Sequence, residues 1–215
     1  MYTVSTSGRM LSFMPACKST DAYHHGDLRN ALLSAGEVLL QQHGPGGLSL
    51  REVARVAGVS HAAPYRHFRD KAALLQALAG RGYERLRDAI RAAAAQVPHG
   101  PEQQLIAAGI AYVRLAVDKP AITQLMFSGT LDPAQTGPSG EAAFAALQDI
   151  IEAGIKAGVF RQRESRELAL VAWTSMHGLA MLITAGLLDV DSSDKAALDA
   201  LVASVASNVI YGISR

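Results

Sequence analysis

Seven histidines, one cysteine and one tryptophan are the side chains most open to chemistry in this chain, and their spacing removes most of the options. His61 and His67 are six residues apart, which on a helix separates them by about 240°, so they cannot converge on one metal ion. His24 and His25 are adjacent, with no carboxylate or cysteine at ligand spacing, so no metal and no cofactor is expected. Cys17 has no partner for an intramolecular disulfide, a zinc cluster or an iron–sulfur centre. Gly58-Val59-Ser60-His61-Ala62 has the outline of a nucleophile elbow, but it lacks the last glycine and follows a helical pattern rather than a strand. Gly44-Pro45-Gly46-Gly47 is not followed by the third glycine of a phosphate loop. Recognition chemistry remains. Ser60, His61, Arg66 and His67 crowd one short segment, and Trp173 and His177 stand at i and i+4 on one helix face.

Such residues need elements to position them, and the pattern is helical almost throughout. Leu28, Ala31, Leu32, Ala35, Leu39 and Leu40 recur at three- and four-residue steps until His43-Gly44-Pro45-Gly46-Gly47 stops the run. Ser49-Leu50-Arg51-Glu52 is a capping box, opening a short helix that Gly58-Val59 breaks. Ser60 then caps a second short helix through His67 or Phe68, and Asp70 caps a long Ala- and Arg-rich helix to about Gln96. Further helices are expected at 102–118, 120–127, 141–157, 165–188 and 194–212. The stretch 128–140 is rich in Ser, Gly, Thr and Pro and reads as a mobile loop. Without any run of alternating β-branched residues, the fold class is all-α. Arg81, Arg85, Arg87 and Arg91 read as a solvated helix face.

Composition narrows the class. A chain of 215 residues, 49% apolar and 18% charged, has core material enough to exclude global disorder. The net charge of +1 conceals an asymmetry: residues 51–91 carry nine Lys/Arg against four Asp/Glu, whereas 186–215 carry four Asp against two basic residues. A basic stretch on a neutral protein points to a local polyanion contact. Residues 1–20 read as a flexible tail without an apolar run of signal length, so a cytoplasmic protein is expected, started at Met1 or Met14. The run 168–188 is uncharged and long enough to span a bilayer. Thr174, Ser175, His177, Gly178, Thr184 and Gly186 dilute it, and its neighbour 196–212 is nearly uncharged too. Two such helices are expected as a buried hairpin in a bundle, completed by a second subunit, rather than in a membrane.

Residues 50–68 have the anatomy of a helix-turn-helix. Val53, Ala54 and Ala57 face inward from the first helix, Gly58 supplies the turn, and Val59 plugs the core. Ala62 and Ala63 are small enough for the N-terminal end of the second helix to enter a major groove. Pro64 falls in the first turn, where its missing N–H costs least.

In these residues the chain resembles the TetR family of transcriptional regulators. Tyr23-His24-His25-Gly26-Asp27-Leu28 is similar to that family's first helix, and Leu50-Arg51-Glu52-Val53-Ala54-Arg55-Val56-Ala57-Gly58-Val59-Ser60 to its second helix and turn. Tyr65-Arg66-His67-Phe68-Arg69-Asp70-Lys71-Ala72-Ala73-Leu74-Leu75 is similar to the end of its recognition helix and the start of its fourth. The second half resembles the family's WHG branch, through Trp173, His177 and Gly178. The resemblance implies a DNA-binding head at 21–95 and an effector-binding, dimerising domain at 96–215. It implies a homodimeric repressor, released from double-stranded operator DNA by a small molecule. Ser60, His61, Ala62 and Ala63 would read base edges, with Ser49 and Arg66 beside them. Tyr65, His67, Lys71 and the N-terminus of the first helix at His25 would hold phosphate. His61 and Ala62 stand where many relatives carry Lys or Arg, so the operator sequence does not carry over.

Tyr112, Leu115, Met126, Phe127, Phe144, Leu147, Trp173, Met176, His177 and Met181 are the candidate pocket residues. Their aromatic and methionine surface suits a small apolar or aromatic effector. The alternative for Trp173 and His177 is a core tryptophan and a hydrogen-bonded buried histidine. A close helix–helix approach or a nearby ligand would account for Gly178. Dimer contacts are expected from Ala172, Ser175, Leu179, Leu182, Val202, Ala203, Val205 and Ser207. Two other readings stay open: a regulator of the same fold without a small-molecule effector, and an all-α enzyme that kept this head.

Overall fold

A computed structural model describes residues 25–97 and 100–214. Among the described residues the regular structure is helical, with one isolated antiparallel bridge between Phe160 and Ser214. Helix α1 (His25–Gly47) puts Leu32, Leu33, Leu39 and Leu40 inward, and Gly44 (φ 64°, ψ −177°) breaks it where the glycine-proline cluster predicts. Helix α2 (Leu50–Val56) starts on Ser49, whose hydroxyl accepts the Glu52 N–H at 3.2 Å. Glu52 turns outward to pair with Arg55 at 2.8 Å, so only one half of the expected box forms. Asp70 caps α3 (Lys71–Ala95) through the Ala73 N–H at 2.8 Å.

Helix α3 is the spine. It packs far more extensively on α4 (Pro101–Asp118) and α6 (Pro133–Lys156) than on α1, and α5 (Pro120–Met126) lies against both α1 and α3. Helices α7 (Ser165–Thr184) and α8 (Lys195–Ile213) complete the bundle over α4. One hydrophobic cluster runs from Leu32 to Ile213, so the head and the bundle share a continuous core. Helices α7 and α8 are long and apolar enough to cross a membrane by length and composition, with mean hydropathy 1.3 and 1.5. Each buries one row of aliphatic side chains against the bundle and leaves its other face open, including Leu170, Val171, Leu182 and Tyr211.

Three expectations need correction. The predicted loop 128–140 is helical from Pro133 onward, despite Pro138. Asp132 caps it by accepting the Ala134 N–H at 2.9 Å, Pro133 occupies the first helical position, and Gln76 Nε2 donates to the Asp132 carbonyl at 2.8 Å. Helix α7 stops at Thr184 rather than 188, because Gly186 takes φ 68°. The arginine series is a solvated face only in part, with Arg91 exposed. Arg85 and Arg81 reach Glu37 of α1 at 2.8 and 3.5 Å, and Arg87 pairs with Asp88.

Close packing is sharpest where α6 gives way to the loop before α7. The Val159 and Phe160 N–H groups both donate to the Gly154 carbonyl, at 2.9 and 3.1 Å. This folds the wholly buried Phe160 ring onto Gly154, where a Cβ would stand 2.1 Å from it. Arg161 then donates to the Ile213 and Ser214 carbonyls, tying the α6–α7 loop to the end of the chain.

Candidate functional site

The head begins with a turn that only glycine takes easily. The Val59 N–H donates to the Ala54 carbonyl at 3.0 Å, and Gly58 adopts φ 69° to let the chain double back. Val53 and Ala54 are fully buried beneath it. The expected helix from Ser60 to His67 is instead a 3-10 turn, Pro64–Arg66, preceded by a single turn. Pro64 has no N–H to offer the Ser60 carbonyl, so the Ala63 N–H takes that acceptor at 3.0 Å, and the tighter i→i−3 spacing results. The His67 and Phe68 N–H groups both close on the Pro64 carbonyl at 2.9 Å. Phe68 is buried under the Arg29 guanidinium, 5.5 Å from its ring centre.

This geometry sorts the predicted DNA-facing residues. Ser60, His61, Ala62, Tyr65 and Arg66 are all exposed, with Ala63 and His67 half-buried among them. Ser49 is removed from the set in one respect, because its hydroxyl is engaged as the α2 cap. Lys71 holds the end of α1 in place, its Nζ donating to the Gly46 carbonyl at 3.1 Å. The side chain of His25 lies outside the described residues. Arg51, Arg55 and Arg69 are exposed on the same part of the chain. Sequence reasoning misses them because one basic residue more on a helix surface carries no pattern.

The candidate pocket residues converge, but on a closed centre. Tyr112 meets Trp173 edge-to-face with ring centres 5.4 Å apart, Phe144 lies 5.7 Å from Trp173, and Phe127 lies 4.4 Å from His177. Tyr112 Oη and His177 Nδ1 are 2.8 Å apart. Burial holds the His177 imidazole below its usual range and pushes the Tyr112 phenol well up, with Tyr83 adding to the latter. At neutral pH the ring is therefore uncharged and the phenol protonated. Tyr112 and the neutral ring share one hydrogen bond whose donor is set by the imidazole tautomer.

Tyr112, Leu147, Trp173 and Met176 line a void of about 20 Å³ together with Ile90 and Leu105. Leu115, Met126 and Phe127 line a second of about 10 Å³ on the other side of Tyr112. Phe144, His177 and Met181 line neither void. Each void has room for roughly one water, against ~300 Å³ or more for a drug-sized ligand. Two methionines close the space over glycines. A Cβ on Gly109 would meet Met176 Sδ at 2.9 Å, and one on Gly82 would meet Met126 Sδ at 2.6 Å.

The expected dimer residues divide. Ala172, Leu179 and Val202 are buried in the chain's own core, because three- and four-residue spacing placed them on the inner face. Ser175, Leu182, Ala203, Val205 and Ser207 remain at least partly exposed. Leu170, Val171 and Tyr211 join them as exposed apolar side chains, Tyr211 at 85%. Among the described residues nothing stands within 4 Å of where a Gly178 Cβ would be, so packing within them does not explain this glycine.

Residues 32–78 match the family model described as bacterial regulatory proteins, tetR family, and residues 105–205 the one described as tetracyclin repressor-like, C-terminal domain. No curated protein sequence matches the chain. Among solved structures, the chain is similar to a protein with unknown function from Rhodococcus sp. RHA1, 35% identical over 91% of this chain and 100% of that one, with a TM-score of 0.79. A bacterial regulatory protein in the tetR family from Rhodococcus RHA1 is 20% identical over 87% and 97%, with a TM-score of 0.67. The transcriptional regulator FadR from Bacillus subtilis, solved in complex with stearoyl-CoA, is 14% identical over 86% and 99%, with a TM-score of 0.72.

Proposed function

Because the chain belongs to the TetR family of bacterial regulatory proteins, we propose that it is a cytoplasmic transcriptional repressor, not an enzyme, that binds operator DNA as a homodimer. The observation that carries this reading is the outward group Ser60, His61, Ala62, Tyr65 and Arg66 on a glycine-turned helix-turn-helix. The head occupies 21–95, the effector and dimer domain 96–215, and Trp173, His177 and Gly178 support the WHG branch. Two heads related by a twofold axis would read a pseudo-palindrome. Binding-site selection from random duplexes tests this: recovery of a twofold-symmetric motif is expected, and salt-dependent binding without any enriched motif rejects it.

The effector we infer is small, uncharged and apolar or aromatic. The walls around Tyr112, Trp173 and Met176 carry no charged group, and the His177 imidazole is neutral. Methionines lying on Gly109 and Gly82 are the walls most able to retract, since a thioether chain has three rotatable bonds. The void of about 20 Å³ favours a second reading, a regulator with no small-molecule effector. Trp173 is the sole tryptophan, so its fluorescence reports on the cavity directly. Titration with 1-decanol and with naphthalene should change that emission saturably, while decanoate should not. No response to either neutral probe supports the effector-free reading.

A further inference from the structure

Among the described residues Tyr112 alone lines both inner voids, the one walled by Trp173 and the one walled by Phe127. Its ring is the partition between them. The voids hold about 20 and 10 Å³, so a ligand that occupies this centre has to move walls, and moving the shared wall joins both spaces at once. That wall is pinned by polar chemistry. Tyr112 Oη and His177 Nδ1 are 2.8 Å apart, and the hydroxyl has no other partner among the described residues. His177 lies behind the partition, lining neither void, and its Nε2 has no partner among the described residues.

Other polar capacity on these walls is scarce. Beside the Trp173 indole there is Thr123, whose hydroxyl is spent on the Lys119 carbonyl at 3.1 Å. Displacing Tyr112 breaks its bond to His177 and leaves two polar groups unpaired unless the ligand supplies the missing partner. A hydrocarbon cannot. A neutral hydroxyl can, because it donates one bond and accepts another, and so it suits the imidazole in either tautomer. Burial keeps that imidazole uncharged, so it offers an incoming group hydrogen bonds rather than charge. The geometry points to Tyr112 and His177 as the specificity-determining pair of the cavity, taking a neutral phenol or alcohol ahead of a hydrocarbon of the same shape, an assignment that rests on the effector reading.

2-Naphthol and 2-methylnaphthalene share one outline, and equilibrium dialysis against the full chain gives both dissociation constants. In a purely apolar cavity the methyl compound binds about tenfold more tightly, because the hydroxyl loses water and gains nothing. The pair predicts the reverse order, with 2-naphthol about tenfold tighter in wild type. Tyr112→Phe keeps the ring and removes the hydroxyl, so it should restore the order of an apolar cavity. His177→Leu should do the same, and it carries the comparison where Tyr112→Phe does not fold. The ratio of the two constants is the readout, since the cost of opening scales both affinities equally and cancels. A variant that merely loosens the fold leaves that ratio alone. If wild type binds both probes and prefers the hydrocarbon, or if the folded variants leave the ratio unchanged, the pair is overturned and the effector reading stands. If wild type binds neither, the effector reading falls and the pair with it.

Discussion

Replacing His177 with alanine is the sharpest probe of the aromatic centre, because the cost is set by one 2.8 Å contact. The change strands the Tyr112 hydroxyl, whose residue is only 4% exposed, and a buried donor without a partner costs about 1–3 kcal/mol. The Phe127 ring also loses its neighbour at 4.4 Å. Alanine returns about 0.5 kcal/mol through its better helix propensity. The sum is a loss of about 2 kcal/mol, or roughly 4–8 °C in melting temperature for a chain of this size. Tyr112→Phe strands only a ring nitrogen of the half-buried His177, so it should cost about 1 kcal/mol. The double variant should cost less than the two added together, by about 1 kcal/mol, because they share one hydrogen bond. Urea unfolding followed by Trp173 emission gives all three values. Strict additivity, or a loss below about 0.5 kcal/mol for His177→Ala, would refute the hydrogen bond.

Acidification supplies a second prediction from the same ring. Burial lowers the folded pKa of His177 below the unfolded value, so the unfolded chain takes up the proton first. The corresponding stability is complete above the unfolded value, about 6.5, and is lost as pH falls below it. Melting curves between pH 7.5 and 5.5 should show that loss, and His177→Gln should flatten it. Gly154→Ala should cost ~3 kcal/mol or more, since its Cβ would overlap the Phe160 ring; a chemical denaturation midpoint close to wild type would contradict the packing described. Leu182→Glu, on the exposed face of α7, should yield a folded monomer by light scattering, whereas Ala172→Glu should fail to fold because it faces inward.

Local chemistry is legible in the sequence, and three-dimensional choice is not. Ser49, Asp70 and Gly58 announce their caps and turn because each acts on neighbours within four residues. Pro64 falls in a first turn as its position predicts, but its effect on the Ser60 carbonyl depends on which acceptor lies four residues back. The helix at 133–140 hides behind its glycines and prolines, since the Gln76 contact that holds its start is 56 residues away. Periodicity puts Ala172, Leu179 and Val202 on an apolar face without saying whether that face meets its own chain or another. The aromatic group around Trp173 is nameable residue by residue, yet nothing in spacing reveals how tightly those rings close. Glu37 carries no signal at all, because its partners lie more than forty residues on, in an arginine series that looks like a solvated face.

The tightness of that aromatic centre has a consequence for detection. A protein whose interior is already full answers only to molecules that make opening worthwhile, and apparent affinity is intrinsic affinity scaled by the open fraction. With the open form at about 1%, a ligand binds roughly a hundredfold more weakly than its contacts alone would give. Under the proposed effector reading the closed core would act as a noise filter, since weak hydrophobic visitors at low abundance would not reach threshold. Under that reading Met126 and Met176 would set the threshold, because their unbranched thioether chains lie over Gly82 and Gly109 and repack most easily. Shortening either side chain should lower the concentration of neutral probe needed to move Trp173 emission, and it should also admit poorer ligands. In such a sensor, sensitivity and selectivity would be opposite readings of one packing density.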